Sequence, residues 1–408
     1  MKRIVICLDG TWNSPEQDKD DGKGTRPRYK PTNVLKTFRS ILPTAEDGTP
    51  QVAFYLEGVG SSIGEPERFS GLQKWTDKLL GGAFGGGFEA RIKSAYRFLV
   101  ANYEPGDKIY VFGFSRGAAQ AQSLTRFIDW NGGLLHKSDE FYIPELFQGY
   151  RETEAGSGTS AGVREAIRRR RGKPEAILDP RPVEVTFLGV YDTVLAVGTR
   201  LGADRDEEGV PTVKRKYAFH VGKVPPAIVK TVRHALAIDE QRLDFRPQVW
   251  KDAAPGQSLE QKWFPGAHSN AGGGYDPDGI ANFSFQWMIS EAARAESAGG
   301  EEKIGLQVDG AFARKFAPNP KGVLGDEHNA TSQIVETLRG KRGEGRRSLR
   351  ATGAGTVTIA EAAFRVMIEN PSYRPANLLE DVRQHPEDLD VLGPADRARI
   401  QAILAETR

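Results

Sequence analysis

The chain has 408 residues, 38% of them hydrophobic and another 46 glycine, a balance that excludes disorder for its bulk. Fifty-six Lys and Arg against 54 Asp and Glu leave a net charge of +2, so no global positive field points to nucleic acid as a partner. The single cysteine, Cys7, excludes an internal disulfide and a cysteine-based zinc site.

The opening MKRIVICLDG is a short apolar run without a small-residue cleavage site. No uncharged apolar stretch of the roughly 20 residues that span a bilayer follows it. The expectation is a soluble protein, cytoplasmic as synthesised, for which export without a cleaved signal would leave no mark. Ile4 to Leu8 reads as a buried parallel strand that delivers a loop at Asp9-Gly10-Thr11. Residues 14–32 are polar and broken by Gly and Pro, an exposed excursion before a helix beginning at Asn33-Val34-Leu35. A second strand is expected over Gln51 to Leu56, ending in the glycine-rich turn 57–61. Phe88, Ile92, Ala95, Tyr96 and Leu99 fall at helical spacing, which predicts an amphipathic helix to about Asn102. Ile109 to Phe114 is a nearly continuous apolar strand, and Ser115 to Leu124 a small-residue helix that follows without a spacer.

Residues 131–182 change composition, with the Gly/Ser stretch GSGTSAG and the run Arg168 to Arg171, and read as an insertion with a mobile loop or a cap. The four arginines fit the solvated end of a helix, or alternatively a contact with anionic lipid headgroups. A further strand, Val183 to Tyr191, ends at Asp192-Thr193. Thr231 to Ala237 reads as helix, and Lys262 to Phe264 as a short strand ending at Pro265-Gly266-Ala267-His268. Beyond residue 300 the chain turns helical and charged, with a second basic stretch at 339–350. The expected fold is α/β: a mostly parallel central sheet with helices on both faces over residues 1–300, and a mainly helical region over 301–408 that either packs on it or stands apart.

Gly113-Phe114-Ser115-Arg116-Gly117 is a G-x-S-x-G sequence placed between a strand and a helix. That context matters more than the pentapeptide. A serine on such a turn projects its hydroxyl, and only glycine at 113 and 117 lets the neighbouring backbone approach. The helix starting at Arg116 aims its N–H groups and positive dipole end at the place where an oxyanion would form. A serine hydroxyl needs a histidine base, which needs a carboxylate, and on this type of fold the chain order is Ser, acid, His. Among His136, His220, His234, His268, His328 and His385, His268 is best placed, since it follows a strand and precedes a glycine-rich loop. His234 reads as a structural histidine. Asp192, at a strand end, is the leading acid, with Asp239, Asp276 and Asp278 as alternatives and a helix N-cap as its structural reading. The second oxyanion donor is expected from Gly10 or Thr11. Asp9-Gly10-Thr11 also invites comparison with phosphatases whose first strand ends in D-x-D-G-T, but the nucleophile position there is Cys7 here. Asp276-Pro277-Asp278-Gly279 lacks the spacing of a calcium loop and reads as a turn.

Taken in order, Leu8 to Asn13, Tyr103 to Asp107, Val111 to Ala118, Leu188 to Val194, Arg233 to Glu240 and Trp263 to Tyr275 resemble an α/β-hydrolase family of domains of unknown function that includes phospholipase effectors of bacterial type VI secretion. The resemblance implies an α/β-hydrolase fold and a site built from Ser115, Asp192 and His268 that needs no cofactor and no metal. It implies ester hydrolysis of lipase or phospholipase type, with a lipid or other ester as the molecule bound. Where the family often carries Asp two residues after the histidine, this chain has Asn270. The alternative is a catalytically silent protein of the same fold that docks on membranes or an acidic partner through the basic stretches at 168–171 and 341–350. Neither reading involves nucleic acid, and neither specifies an oligomeric state.

Overall fold

The computed structural model describes residues 1–10, 31–58, 83–153, 158–172, 178–194, 221–241, 245–275, 277–295, 305–324, 346–350 and 357–407. Seven strands among them form one sheet in the order β2-β1-β3-β4-β5-β6-β7, where β1 is Arg3–Leu8, β2 Gln51–Leu56, β3 Lys108–Phe114, β4 Val185–Tyr191, β5 Val229–Ala237, β6 Ser258–Phe264 and β7 Val357–Ile359. Every neighbouring pair is parallel. All C-terminal strand ends therefore lie along one edge, where Asp9, Ser115, Asp192 and the loop to His268 emerge.

The central strands are apolar along their whole length because both faces are covered. Ile4, Ile6 and Leu8 of β1 join Ile109 and Val111 of β3 in one core, whereas Val5 and Cys7 join Tyr110 and Phe112 in the other. Alternate residues of a strand point to opposite faces, so two cores follow from one sheet. The first core packs against helices α2 (Ala83–Asn102), α3 (Arg116–Asn131) and α4 (Ile143–Glu152), through residues such as Tyr96, Leu124, Phe127 and Leu146. The second packs against α1 (Asn33–Ser40), and against α7 (Ala281–Arg294), which follows the short helix α6 (His268–Gly272). This is an α/β-hydrolase-like fold.

The segment 231–237, expected to be helical, is strand: it makes up most of β5, paired on one side with β4 and on the other with β6. Its apolar residues are compatible with either period over so short a run, and pairing on both sides decided the outcome. Within the mainly helical region after residue 300, β7 extends the sheet beside β6 with Gln261 opposite Val357 and Trp263 opposite Ile359. Past the short helix α8 (Gly310–Arg314) and β7, α9 (Glu361–Glu369), α10 (Ala376–Gln384) and α11 (Pro394–Glu406) bury Phe364, Val366, Leu378 and Ile400 in the same core as Phe112 and Trp263.

The described part of the 131–182 insertion lies against the later turns of α3. Phe147 and Tyr150 stack around Phe127, with ring centroids 5.1 and 5.3 Å away. Phe127 stands twelve residues along the chain from Ser115, about 18 Å at the rise of a helix. These residues form a layer on the outside of that helix. The Gly/Ser loop of the insertion lies partly outside the described residues. In α5 (Ala161–Arg171), the four arginines each meet a carboxylate: Arg168 with Asp179 at 2.5 Å, Arg169 with Glu165 at 2.6 Å, Arg171 with Glu145 at 2.6 Å, and Arg170 also with Glu145. The helix end is solvated, and acids of the same chain balance most of its charge. Among the described residues no helix is long and apolar enough to cross a membrane.

Candidate active site

β3 ends in a turn that forces Ser115 to φ 57°, ψ −122°, a backbone conformation that a residue with a Cβ adopts only under constraint from its surroundings. The constraints are visible. Ser115 donates its N–H to Tyr191 O at 3.0 Å, tying the turn to the end of β4, while its own carbonyl accepts from Ala118 and Ala119 at 3.1 and 3.3 Å to begin α3. A Cβ on Gly117 would fall 2.1 Å from Leu8 O, and one on Gly113 would fall 2.5 Å from Gly117 O. Both glycines are thus required by close approach of backbone to backbone. Ser115 is left 8% exposed at the head of α3.

The tie to Tyr191 sets the serine beside the next residue, Asp192, which is also held at positive φ (38°). Asp192 is fully buried, and its Oδ2 lies 2.6 Å from His268 Nδ1. His268 begins α6 immediately after β6, with its ring packed between Phe114 at 4.7 Å and Phe245 at 4.9 Å. Phe114 adjoins Ser115 in the chain, so neighbours of all three predicted residues touch. Nδ1 is the ring nitrogen that the carboxylate engages. α1 braces this end of the site: Asn33 Nδ2 donates to Ala271 O at 3.1 Å and to Ser284 Oγ at 3.0 Å, and Thr32 bridges Gly273.

Asp192 has further partners that the sequence did not reveal. Arg347 forks onto it, Nη1 to Oδ1 at 2.6 Å and Nη2 to Oδ2 at 3.0 Å, and the Ala237 N–H donates to Oδ1 at 3.1 Å. Burial alone would push this carboxyl up; the Arg347 charge and the bond to His268 outweigh it and hold the group well below the usual carboxylate range. Glu240 Oε2 accepts from the His268 backbone N–H at 3.3 Å. Residues 155 and 28 positions apart make these contacts, and no local pattern marks them. His234 is indeed structural: its Nε2 accepts the Thr193 N–H at 3.2 Å, and burial drives its pKa down to about 4.

The other carboxylates considered for the site have separate duties. Asp239 accepts from Gly266 N at 2.6 Å and from the Tyr373 hydroxyl at 2.8 Å. Asp278 pairs at 2.9 Å with the fully buried Lys36, whose Nζ also donates to Asn282 Oδ1 at 2.7 Å. Asp276 lies outside the described residues. Asn270 Oδ1 accepts from Ala267 N at 3.0 Å, a bond that shapes the turn carrying His268. Among the described residues no group of three His, Cys, Asp or Glu is arranged to hold a metal.

On the opposite side of the serine, the Asp9 carboxylate accepts from Gly10 N at 2.7 Å, Thr32 Oγ1 at 2.6 Å and Tyr55 OH at 2.6 Å. The Gly10 N–H is thereby directed at its own neighbour's side chain. Thr11 lies outside the described residues, as do His220, His328, most of the 14–32 excursion and most of the 57–61 turn. Cys7 is buried inside β1, and desolvation pushes its thiol far above the usual range, which removes it as a nucleophile.

A strained serine turn between a strand and a helix, on an all-parallel sheet with a histidine-carboxylate bond at the same edge, defines a protein of the α/β-hydrolase class. More narrowly, the chain belongs to the type VI secretion Tle1-like phospholipase effector family, whose catalytic-domain model matches residues 2–291. Among relatives, an uncharacterised protein of Saccharomyces cerevisiae, YEL023C, is 31% identical over 249 residues, which cover 60% of this chain and 32% of the yeast protein. An uncharacterised protein from Pseudomonas aeruginosa is similar in structure over 99% of this chain and 62% of its own, at 17% identity and a TM-score of 0.39. A Tle1 effector bound to the VgrG spike of the type 6 secretion system is similar over 67% of this chain and 51% of its own, at 22% identity and a TM-score of 0.34. The chain thus spans about a third of the yeast relative's length and between half and two thirds of the two solved chains.

Proposed function

We propose that this chain is a serine hydrolase of carboxylic esters, with lipid esters, and phospholipids foremost, as its substrates. Its family is one of phospholipase effector catalytic domains, which supports the substrate class. The observation that carries the chemistry is the 2.6 Å bond from His268 Nδ1 to Asp192 at the sheet edge where Ser115 turns outward.

In this reading Ser115 Oγ attacks the acyl carbonyl carbon while His268 Nε2 takes the hydroxyl proton. Asp192 holds the imidazole in the tautomer with its proton on Nδ1 and stabilises the cation that forms. The tetrahedral intermediate places its oxyanion at the head of α3, where the Arg116 N–H and the helix dipole stabilise it. A second donor is the backbone N–H of Gly10 or Thr11; the Gly10 N–H, which meets the Asp9 carboxylate at 2.7 Å, would exchange that partner for the oxyanion if it serves. The protonated His268 then releases the alcohol, and water repeats the sequence in reverse to free the acid.

Labelling with a fluorophosphonate probe tests this mechanism, with wild type beside Ser115→Ala and His268→Ala, followed by assays on short-chain and phospholipid esters. Labelling that is lost in both variants, and phospholipid hydrolysis that is lost with it, is the expected result. A folded wild-type protein that neither labels nor hydrolyses any ester would overturn the proposal.

A further inference from the structure

The family-matched part of the chain ends at residue 291, yet the most extensively bonded partner of Asp192 comes from beyond it. Arg347 is 6% exposed. Besides its fork onto Asp192, Nη1 donates to Ala237 O at 2.7 Å and Nη2 to Phe245 O at 2.6 Å. One guanidinium therefore joins the acid, the end of β5, and the residue whose ring walls one side of His268. The short segment that carries it is itself anchored. Asn377 Nδ2 of α10 donates to Arg347 O at 3.0 Å and to Ile238 O at 3.1 Å, Trp263 Nε1 donates to Leu349 O at 3.1 Å, and Arg350 forks onto Asp381 at 3.2 and 3.3 Å.

We propose that Arg347 is a positioning residue of the hydrolytic site, a cation supplied by the C-terminal region that orients the Asp192 carboxylate toward His268 and sets the pH at which the Asp192–His268 pair takes up its proton. This rests on the serine hydrolase reading above.

The geometry argues for orientation. A carboxylate turns freely about its last bond unless both oxygens are engaged, and the planar fork of an arginine matches both at once. The charges facing the pair argue for the second role. Around His268 and Asp192 stand two acids, Asp192 itself and Glu240 at the His268 backbone, with Asp239 behind Gly266. His234 is neutral beside Thr193, and at the head of α3 the Arg116 side chain adds a second cation, its pKa pushed down to about 9 by burial. Two carboxylates beside a buried imidazole favour the imidazolium, which cannot act as a base. Arg347, a permanent cation on the far side of Asp192, opposes that attraction, and a buried site screens it little. A lysine in its place would keep the charge but lose the fork.

The test compares the full-length wild type, R347M and R347K by the pH dependence of Ser115 labelling by fluorophosphonate and of short-chain ester hydrolysis. R347M is expected to react about a hundredfold more slowly, as misplacement of a catalytic group entails. Its acid limb is expected to move up by about one pH unit, the size of shift that one adjacent charge produces. R347K is expected to react slowly with its acid limb where the wild type has it. Should R347M fail to give the wild-type circular dichroism, R347Q, which keeps donors for Ala237 O and Phe245 O without the charge, carries the same comparison. An R347M or R347Q protein with wild-type rate, or with a lowered rate and an unmoved limb, would overturn the assignment while leaving the hydrolase reading intact. A wild type with no Ser115-dependent labelling at any pH would overturn both.

Discussion

The two ends of the site are built in opposite ways. The nucleophile end is local: residues 113–117, one strand and the helix that follows hold Ser115 in place, and its strain is secured by glycines two positions away on either side and by the hydrogen bond to Tyr191. The acid–base end is assembled from residues 192, 237, 240, 245, 268 and 347, which share no element and meet only because parallel strands end at one edge. A local device depends on backbone clearance and fails when a methyl group is added. An assembled one depends on charge and hydrogen bonding and fails when a partner is neutralised. Both ends also carry stability, the turn through packing and the Asp192 carboxylate through its buried pairing with Arg347.

Changes that strike only one end separate these contributions. Asp192→Asn preserves shape but leaves the buried Arg347 without its counter-charge, so it should lower the melting temperature clearly, and it should lower ester hydrolysis by about ten-thousandfold, because an amide favours the wrong histidine tautomer. Steady-state kinetics beside a thermal melt would show it, and a loss of tenfold or less would remove Asp192 from the mechanism. Gly117→Ala strikes the nucleophile end, and should lower both hydrolysis and stability through the backbone. Its methyl group would sit 2.1 Å from Leu8 O, so the strand and helix must part, at a cost of about 3 kcal/mol measured by urea unfolding.

His234, under the acid end, gives a smaller and pH-dependent effect. Burial holds its pKa at about 4, below the ordinary 6.5, so the unfolded chain binds a proton that the folded one does not. Stability from this group is complete above about pH 6.5 and falls as pH drops toward 4. The expected loss between pH 7 and 5 is about 2 kcal/mol, and His234→Gln should be less stable at pH 7 but lose less on acidification. Equal pH sensitivity of the two proteins in urea titrations would contradict the assignment. Least affected should be a variant with Arg170 and Arg171 both changed to Gln. These side chains are exposed and share Glu145, so neither ester hydrolysis nor the melting temperature should change measurably. Weaker binding of the variant to vesicles rich in anionic lipid would instead show that this helix end contacts membranes.

What was legible in the sequence follows the same division. β1 to β4 and the helices after β2 and β3 were readable, because continuous apolar runs bounded by glycine, proline or aspartate are local signals. Ser115 was readable for that reason, and Asp192 and His268 because each ends a strand whose direction the parallel pattern implied. β5 was misread as helix: the run Thr231 to Ala237 carries no period of its own that decides the matter, and its pairing with β4 and β6 does. The arginines 168–171 read as the solvated end of a helix, but their pairing with Glu145, 25 residues before Arg170, is invisible to a local reading. Phe147 and Tyr150 of the 131–182 insertion pack against Phe127, a contact between residues 20 and 23 positions apart that no local pattern marks.

By itself, then, the sequence determined the apolar strands β1 to β4 and the glycine-flanked turn at Ser115, since each depends on φ, ψ and burial within a few positions. Only the tertiary structure decided which carboxylates serve His268 and which serve Gly266 or Lys36. It also decided that β7 closes the sheet's far side and that Arg347 clamps Asp192. Those outcomes turn on hydrogen-bond geometry between segments up to 155 residues apart, and nothing in the local order of residues encodes a distance of 2.6 Å.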